Sequence, residues 1–151
     1  MKTKREESVL DIINTFEAMA DTILKQLKLL EKFMKEGVTL VDPSSTFISY
    51  GSKIGRDTVI YPFTAIENDV IIGSHCSVGP FLHLREGTRI ADRVVVGNFL
   101  EIARSKLSQG TFVKHFGYLG DSRIGRSVNI GAGVVTANFD GKRKHLTIVK
   151  D

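Results

Sequence analysis

Cysteine and histidine are scarce in this chain, and each shortage excludes some chemistry. A single thiol, Cys76, among 151 residues rules out an internal disulfide. The 4 histidines include no pair closer than His75 and His83, so the close-spaced pair of a zinc site is missing and no metal is expected. No secretory pattern opens the chain, which makes the cytoplasm the expected location. A bilayer span is also excluded, because Asp11, Glu17, Asp21, Lys25, Lys28 and Glu31 interrupt the longest apolar segment. The 21 Lys and Arg outnumber the 17 Asp and Glu, which suits an anionic small molecule or a nucleic acid equally. The basic residues are scattered along the sequence without an aromatic platform, so neither nucleic acid nor membrane is expected as a partner.

What the chain does have is a period of six. Ile48, Ile54, Ile60, Ile66, Ile72, Val78, Leu84, Ile90, Val96 and Ile102 follow one another at that step without a miss. Neither a helix nor an alternating strand produces this period. A solenoid of hexapeptides does, with short strands coiling so that one aliphatic side chain per hexad points to the axis. Glycine often follows the aliphatic residue, as at Gly55, Gly73, Gly79 and Gly97, which reads as a corner turned at little steric cost. Two one-residue slips then reset the phase to Leu107, Val113 and Leu119, and again to Ile124, Ile130 and Thr136. His115 lies between the slips, and an irregularity in a regular scaffold is a natural place to seek chemistry.

Before the period begins, the chain reads as one helix. Ser8 is a candidate N-cap, no glycine or proline intervenes before about Lys35, and Gly37 is a candidate C-cap. Val9, Ile13, Phe16, Ala20, Ile23, Leu27, Leu30 and Met34 alternate at spacings of four and three, the seam of a coiled coil. The helix is expected to self-associate, to dock on another domain or, less favourably, to pack back on its own. Asp42-Pro43 marks the turn into the solenoid. The fold expected is an all-β solenoid over 38–151, a parallel β-helix of about five coils, with a helical arm over 1–37. Strand character persists to Asp151 without a polar cap, so truncation or coverage by another chain is expected at that end.

Several ordered motifs carry a resemblance to a family. They are Gly79-Pro80-Phe81 with Leu84-Arg85, Val96-Gly97-Asn98-Phe99-Leu100-Glu101, Lys114-His115, Tyr118-Leu119-Gly120-Asp121, Asn129-Ile130-Gly131-Ala132-Gly133 and Asn138-Phe139-Asp140-Gly141. Over about residues 25 to 151 the chain resembles the acetyltransferase half of the bifunctional bacterial N-acetylglucosamine-1-phosphate uridyltransferase / glucosamine-1-phosphate acetyltransferase. The uridyltransferase half has no counterpart here and is a possible separate domain or chain. The resemblance implies a left-handed β-helix, a homotrimer with sites between neighbouring subunits, acetyl-CoA as co-substrate, and a place in UDP-N-acetylglucosamine supply for cell wall and lipopolysaccharide.

Acetyl transfer from a thioester to an amine needs a base for the amine proton and donors for the developing oxyanion. Histidine suits the base role at neutral pH, and by resemblance His115 is that base. Arg85, Tyr118 and Asn129 match positions that hold the sugar phosphate, and Lys144 is associated with the same site. Ala132, Asn138 and Phe139 match the acetyl-CoA side. His75, His83 and His145 match no functional position. The chain departs from the family where a second phosphate-binding lysine falls on Ala103; its neighbour Arg104 is expected to point to the opposite face of the wall. It departs again where Phe139 replaces a tyrosine. The competing expectation is a trimeric β-helix scaffold without turnover.

Overall fold

The computed structural model describes the backbone of residues 4–151 and side chains from residue 11 onward. Residues 1–3 lie outside the described residues, as does the side chain of Val9 in the heptad seam. Helix α1 runs Lys4–Lys35, so Ser8 sits within the helix and does not cap it. At about 1.5 Å per residue the helix is some 48 Å long. Gly37 closes it at φ 92°, with the Val38 amide donating to the Phe33 carbonyl at 3.0 Å. That left-handed position is the C-cap glycine. Among the described residues, burial of α1 is confined to its last third: Leu29, Leu30 and Phe33 are buried with Val38 and Leu40 at the foot of the solenoid. Ile12, Ile13, Phe16, Met19, Ile23, Leu24 and Leu27 are exposed, so the packed-back reading holds for the end of the helix alone.

After a short turn capped by Asp42, whose carboxylate accepts from the Ser44 amide at 3.0 Å, the chain coils as a left-handed parallel β-helix of about five turns. Its three walls are parallel sheets. The first stacks Thr39–Leu40, Val59–Ile60, Ser77–Val78, Val95–Val96, Phe112–Val113 and Asn129–Ile130. The second stacks Phe47–Ile48, Thr64–Ile66, Leu82–Leu84, Leu100–Ala103 and Gly117–Gly120. The third stacks Lys53–Ile54, Ile71–Ile72, Arg89–Ile90, Lys106–Leu107, Ser122–Ile124 and Thr147–Val149.

The six-residue column does point to the axis. Ile48, Ile60, Ile66, Val78, Leu84, Val96 and Ile102 are wholly buried, and Ile54 is partly so. Two residues before each of these runs a second buried column: Thr46, Ser52, Thr58, Thr64, Val70, Cys76, Leu82, Thr88, Val94 and Leu100. Its hydroxyls tie one turn to the next. Thr58 donates to the Gly73 carbonyl at 2.8 Å, Thr88 to that of Ile102 at 3.1 Å and Thr111 to that of Gly125 at 2.7 Å. Each bond removes an otherwise unpaired polar group from the interior.

The glycines after the aliphatic column serve a different purpose from the one their pattern suggests. A Cβ at Gly97 would stand 2.6 Å from the Gly79 carbonyl oxygen, and one at Gly55 would stand 2.7 Å from the Gly73 carbonyl carbon. These glycines permit close approach between turns. Of the four, Gly79 alone also turns a left-handed corner, at φ 98°; Gly87, Gly110 and Gly133 turn others, and many of the remaining corners fall on non-glycine residues, among them Asp57, Phe63, Asp69, Phe81, Phe99, Arg104 and Asp121. Both phase slips lie at one edge of the prism, between the second and third walls, where Arg104 and Asp121 turn the shortened corners at φ 50° and 48°. His115 turns a different edge, between the first and second walls, so it does not lie at either slip.

Candidate active site

The edge between the first and second walls is paved with aromatic side chains. Phe63 and Phe81 stack with ring centroids 4.9 Å apart, and Phe81 and Phe99 with centroids 4.8 Å apart, at interplanar angles of 11° and 8°. Phe116 continues the series: its carbonyl accepts from the Gly133 amide of the turn above, and the adjoining Gly117 amide donates to the Phe99 carbonyl below. The residue before each phenylalanine forms a parallel series: Pro62, Pro80, Asn98 and His115, with Ala132 one turn higher. His115 is exposed, and among the described residues its ring has no hydrogen-bond partner. The structure therefore brings the candidate base and Ala132 to neighbouring turns of one convex edge.

From that edge the second wall runs about 10 Å along Gly117–Gly120, at roughly 3.3 Å per residue. Its outward column reads Ala65, His83, Glu101 and Tyr118 in register, with Val135 bridged to Tyr118. The polar members are tied together. Arg85 Nη1 lies 2.9 Å from Glu101 Oε1, and His83 Nε2 lies 2.7 Å from Glu67 Oε1. The Glu101 carboxylate raises the Arg85 guanidinium above its ordinary value. The Glu86 amide, with His83 and Arg85 in support, holds Glu67 below the usual carboxylate range.

At the far edge of this wall Arg104 meets Asp121 in a bidentate pair, Nε to Oδ1 at 2.7 Å and Nη2 to Oδ2 at 2.9 Å. Asp121 is lowered mainly by that guanidinium, and it also accepts from the Asn138 side chain. Arg104 is raised by Asp121 first and further by the Tyr118 hydroxyl. Ala103 is fully buried, but the left-handed corner breaks the strand alternation at the next residue. Arg104 is thereby carried onto the surface that holds Arg85 and Tyr118, contrary to the expectation that it faces away; a cavity of about 280 Å³ is lined by Glu67, Arg85, Gly87 and Arg104. Strand alternation gave no warning of this, since the only signal is the shortened hexad.

The remaining candidates divide. Lys144 lies over the same far edge, where its charge adds to the lowering of Asp121 and it shares a cavity of about 260 Å³ with Arg104 and His145. Asn138 is buried there with its amide bonded to Asp121. Phe139 is exposed on the loop above, and His145 Nε2 lies 2.6 Å from Asp140 Oδ2 on that loop. Asn129 stands outward on the first wall, in register with Phe112 and Val95, separated from Arg85 and Tyr118 by the His115 edge. A single copy therefore spreads these residues over two faces and two edges of a convex prism. Asn129 and Arg85 of one chain thus lie on different walls of the prism.

Residues 51–85 match the bacterial transferase hexapeptide (six repeats) model. The chain is 37% identical to bifunctional protein GlmU of Desulfitobacterium hafniense strain DCB-2 over 167 aligned residues, covering 89% of this chain and 37% of that protein. GlmU of Thermotoga maritima is 35% identical over 188 aligned residues, covering the whole of this chain and 42% of the relative. GlmU of Thermosipho africanus is 41% identical over 154, covering 80% and 34%. A perosamine N-acetyltransferase structure from Caulobacter crescentus, solved with CoA and GDP-perosamine, is 15% identical with a TM-score of 0.35, covering 81% of this chain and 61% of that one. The chain spans roughly two-fifths of the length of the GlmU relatives it matches. The chain thus carries a hexapeptide repeat domain and matches the C-terminal part of GlmU at 35–41% identity over most of its length.

Proposed function

We propose that this chain transfers the acetyl group of acetyl-CoA to the amine of glucosamine-1-phosphate. The observation that carries the reading is His115, an exposed imidazole with no hydrogen-bond partner among the described residues, on the edge where the polar second wall begins. In the reaction the amine nitrogen attacks the thioester carbonyl, His115 takes the amine proton, and the CoA thiolate leaves. A nearby base contributes typically about 10²–10⁴ to such a step. Arg85 offers a guanidinium fork for the phosphate, while Tyr118 and Asn129 offer the hydroxyl and amide that bind sugar hydroxyls. Ala132 borders the base on the next turn, leaving room for the thioester. Asn138, through Asp121, fixes the loop that presents Phe139 and Lys144.

The separation of Asn129 from Arg85 supports a cleft enclosed by walls from two copies of the chain. When the first wall of one copy faces the second wall of another, Asn129 of the first and Arg85 of the second border one cleft. This arrangement is the reason to expect a homotrimer, and it makes turnover depend on assembly. The acceptor is tested by incubating the assembled protein with acetyl-CoA and, separately, glucosamine-1-phosphate, glucosamine-6-phosphate or glucosamine, then reading the N-acetylated product by mass spectrometry. Product with the 1-phosphate alone supports the assignment. Equal product from all three removes the phosphate role of Arg85, and none from a folded oligomer leaves a scaffold without turnover.

A further inference from the structure

The basic residues that look scattered along the chain are gathered by the coiling. On the third wall the outward column reads, turn by turn and in register, Lys53, Ile71, Arg89, Lys106, Arg123 and Ile148. Three cations thus occupy three successive rungs, about 4.8 Å apart. Like charges directly opposite one another across strands are destabilising, and here nothing local relieves all of it. Arg89 Nη2 lies 2.6 Å from Asp69 Oδ1, but among the described residues no carboxylate comes within 4.0 Å of Lys106 or Arg123. The bordering carboxylates are engaged elsewhere: Asp121 by Arg104, Asp92 by the Ser74 amide at 2.8 Å, and Asp151 by the Arg126 amide at 2.6 Å.

The shape of this face matches its charge. Two shallow depressions share Lys106 and Ser108. One, of about 450 Å³, extends past Arg89 and Ala91 to Ile71. The other, of about 660 Å³, extends past Arg123 to Ile148 and Lys150. Together they form a trough along the solenoid axis with cations at regular intervals and short side chains beside them.

We propose that this trough binds a linear polymer of phosphate groups, with Lys106 and Arg123 as its principal contacts. A single small anion needs one rung, whereas the trough repeats the same charge over several. A planar bilayer suits a projecting surface, and this one is recessed. An extended acidic peptide is recognised mainly at an open sheet edge, and the backbone groups of this wall are already paired between turns. A guanidinium fork and an ammonium both suit phosphate oxygens. None of the residues in the outward column is aromatic, so the bases of a nucleic acid would find no stacking partner, and recognition rests on the phosphate backbone alone. The shared chemistry covers both single-stranded nucleic acid and inorganic polyphosphate.

The test is a fluorescence-anisotropy titration of the full chain with labelled dT20 over a range of salt, with inorganic polyphosphate as competitor. Three phosphate contacts predict a slope of log K on log salt of about −2 for a single strand. Lys106→Gln with Arg123→Gln is expected to weaken binding at least about tenfold and to flatten the slope by about 1.4, two contacts being lost. Lys25→Gln with Lys28→Gln, which removes the same charge from exposed positions of α1, should leave both unchanged. Lys106→Gln alone gives half the slope change if the double variant is unstable. Displacement of dT20 by polyphosphate supports a phosphate trough, and its failure overturns it in favour of base recognition. Equal loss in the helix variant, better displacement by anionic lipid vesicles at equal phosphate, or no binding at 50 mM salt also overturns the proposal.

Discussion

On the second wall the charged side chains pair off, Arg85 with Glu101, His83 with Glu67 and Arg104 with Asp121; on the third wall, a few residues further round each turn, Lys106 and Arg123 have no such partner among the described residues. Both walls rest on the same interior. Ile66, Leu84 and Ile102 point inward from one just as Ile72, Ile90 and Leu107 do from the other. The comparison separates two roles of one repeat. Inward positions are constrained by packing at every turn, whereas outward positions are left to function, and each wall has filled them differently. A paired wall holds side chains in defined geometry for a small, shaped substrate. The third wall pairs Arg89 with Asp69 but leaves the charges of Lys106 and Arg123 exposed to solvent without a carboxylate among the described residues.

The comparison is broken most sharply at His115. Replacing it with Ala is expected to lower acetyl transfer by about 10²–10⁴, measured as thiol release, while Lys106→Gln on the third wall leaves turnover unchanged. Loss of assembly in His115→Ala would instead show that the imidazole is structural. The shared interior should respond without regard to wall: Ile66→Ala empties part of a fully buried site and should cost about 2–5 kcal/mol in urea unfolding. An equal loss from an outward residue of the third wall would dissolve the division between inside and outside.

Acid distinguishes the two walls. Asp121 and Glu67 titrate below their ordinary values in the folded chain. Their contribution is therefore present above the unfolded value of about 4 and lost as the pH falls below it. The melting temperature should drop between pH 5 and 3, and Asp121→Asn should make that drop shallower; an unchanged pH dependence would mean that the Arg104 pair contributes little. A smaller effect is expected from Ile23→Asp on the exposed stripe of α1. It should reduce the assembled mass seen by light scattering with little change in solenoid melting. Unchanged mass would place the helix outside the interface.

Much of the fold can be read from spacing because packing repeats at every turn. The inward column from Ile48 to Ile102 is visible at a step of six, and a step of six from Thr46 gives the second buried column to Leu100. That second series is harder to notice, since Thr, Ser, Val, Cys and Leu share smallness or branching more than hydrophobicity. The corners are not legible, because a left-handed conformation at Phe63, Phe81 or Asp69 leaves no compositional mark. The start of α1 is misplaced for a related reason: nothing at Ser8 stops the helix from continuing back to Lys4. Of the candidate site, composition and period single out His115 only weakly, and the family motifs do most of the selection. Arg104 is misread because strand alternation fails at a corner, and the distance between Asn129 and Arg85 appears only once the walls are folded.

The claim that the site is shared between copies has a direct test in mixed oligomers. Arg85→Gln and Asn129→Ala chains, each expected to be nearly inactive alone, are unfolded together, refolded and assayed for thiol release from acetyl-CoA with glucosamine-1-phosphate. If one cleft takes Arg85 from one copy and Asn129 from another, some clefts in the hybrid escape both substitutions and activity returns to a sizeable fraction of the wild type. Hybrids as inactive as their parents would contradict the account, because each defect would then stay within its own chain.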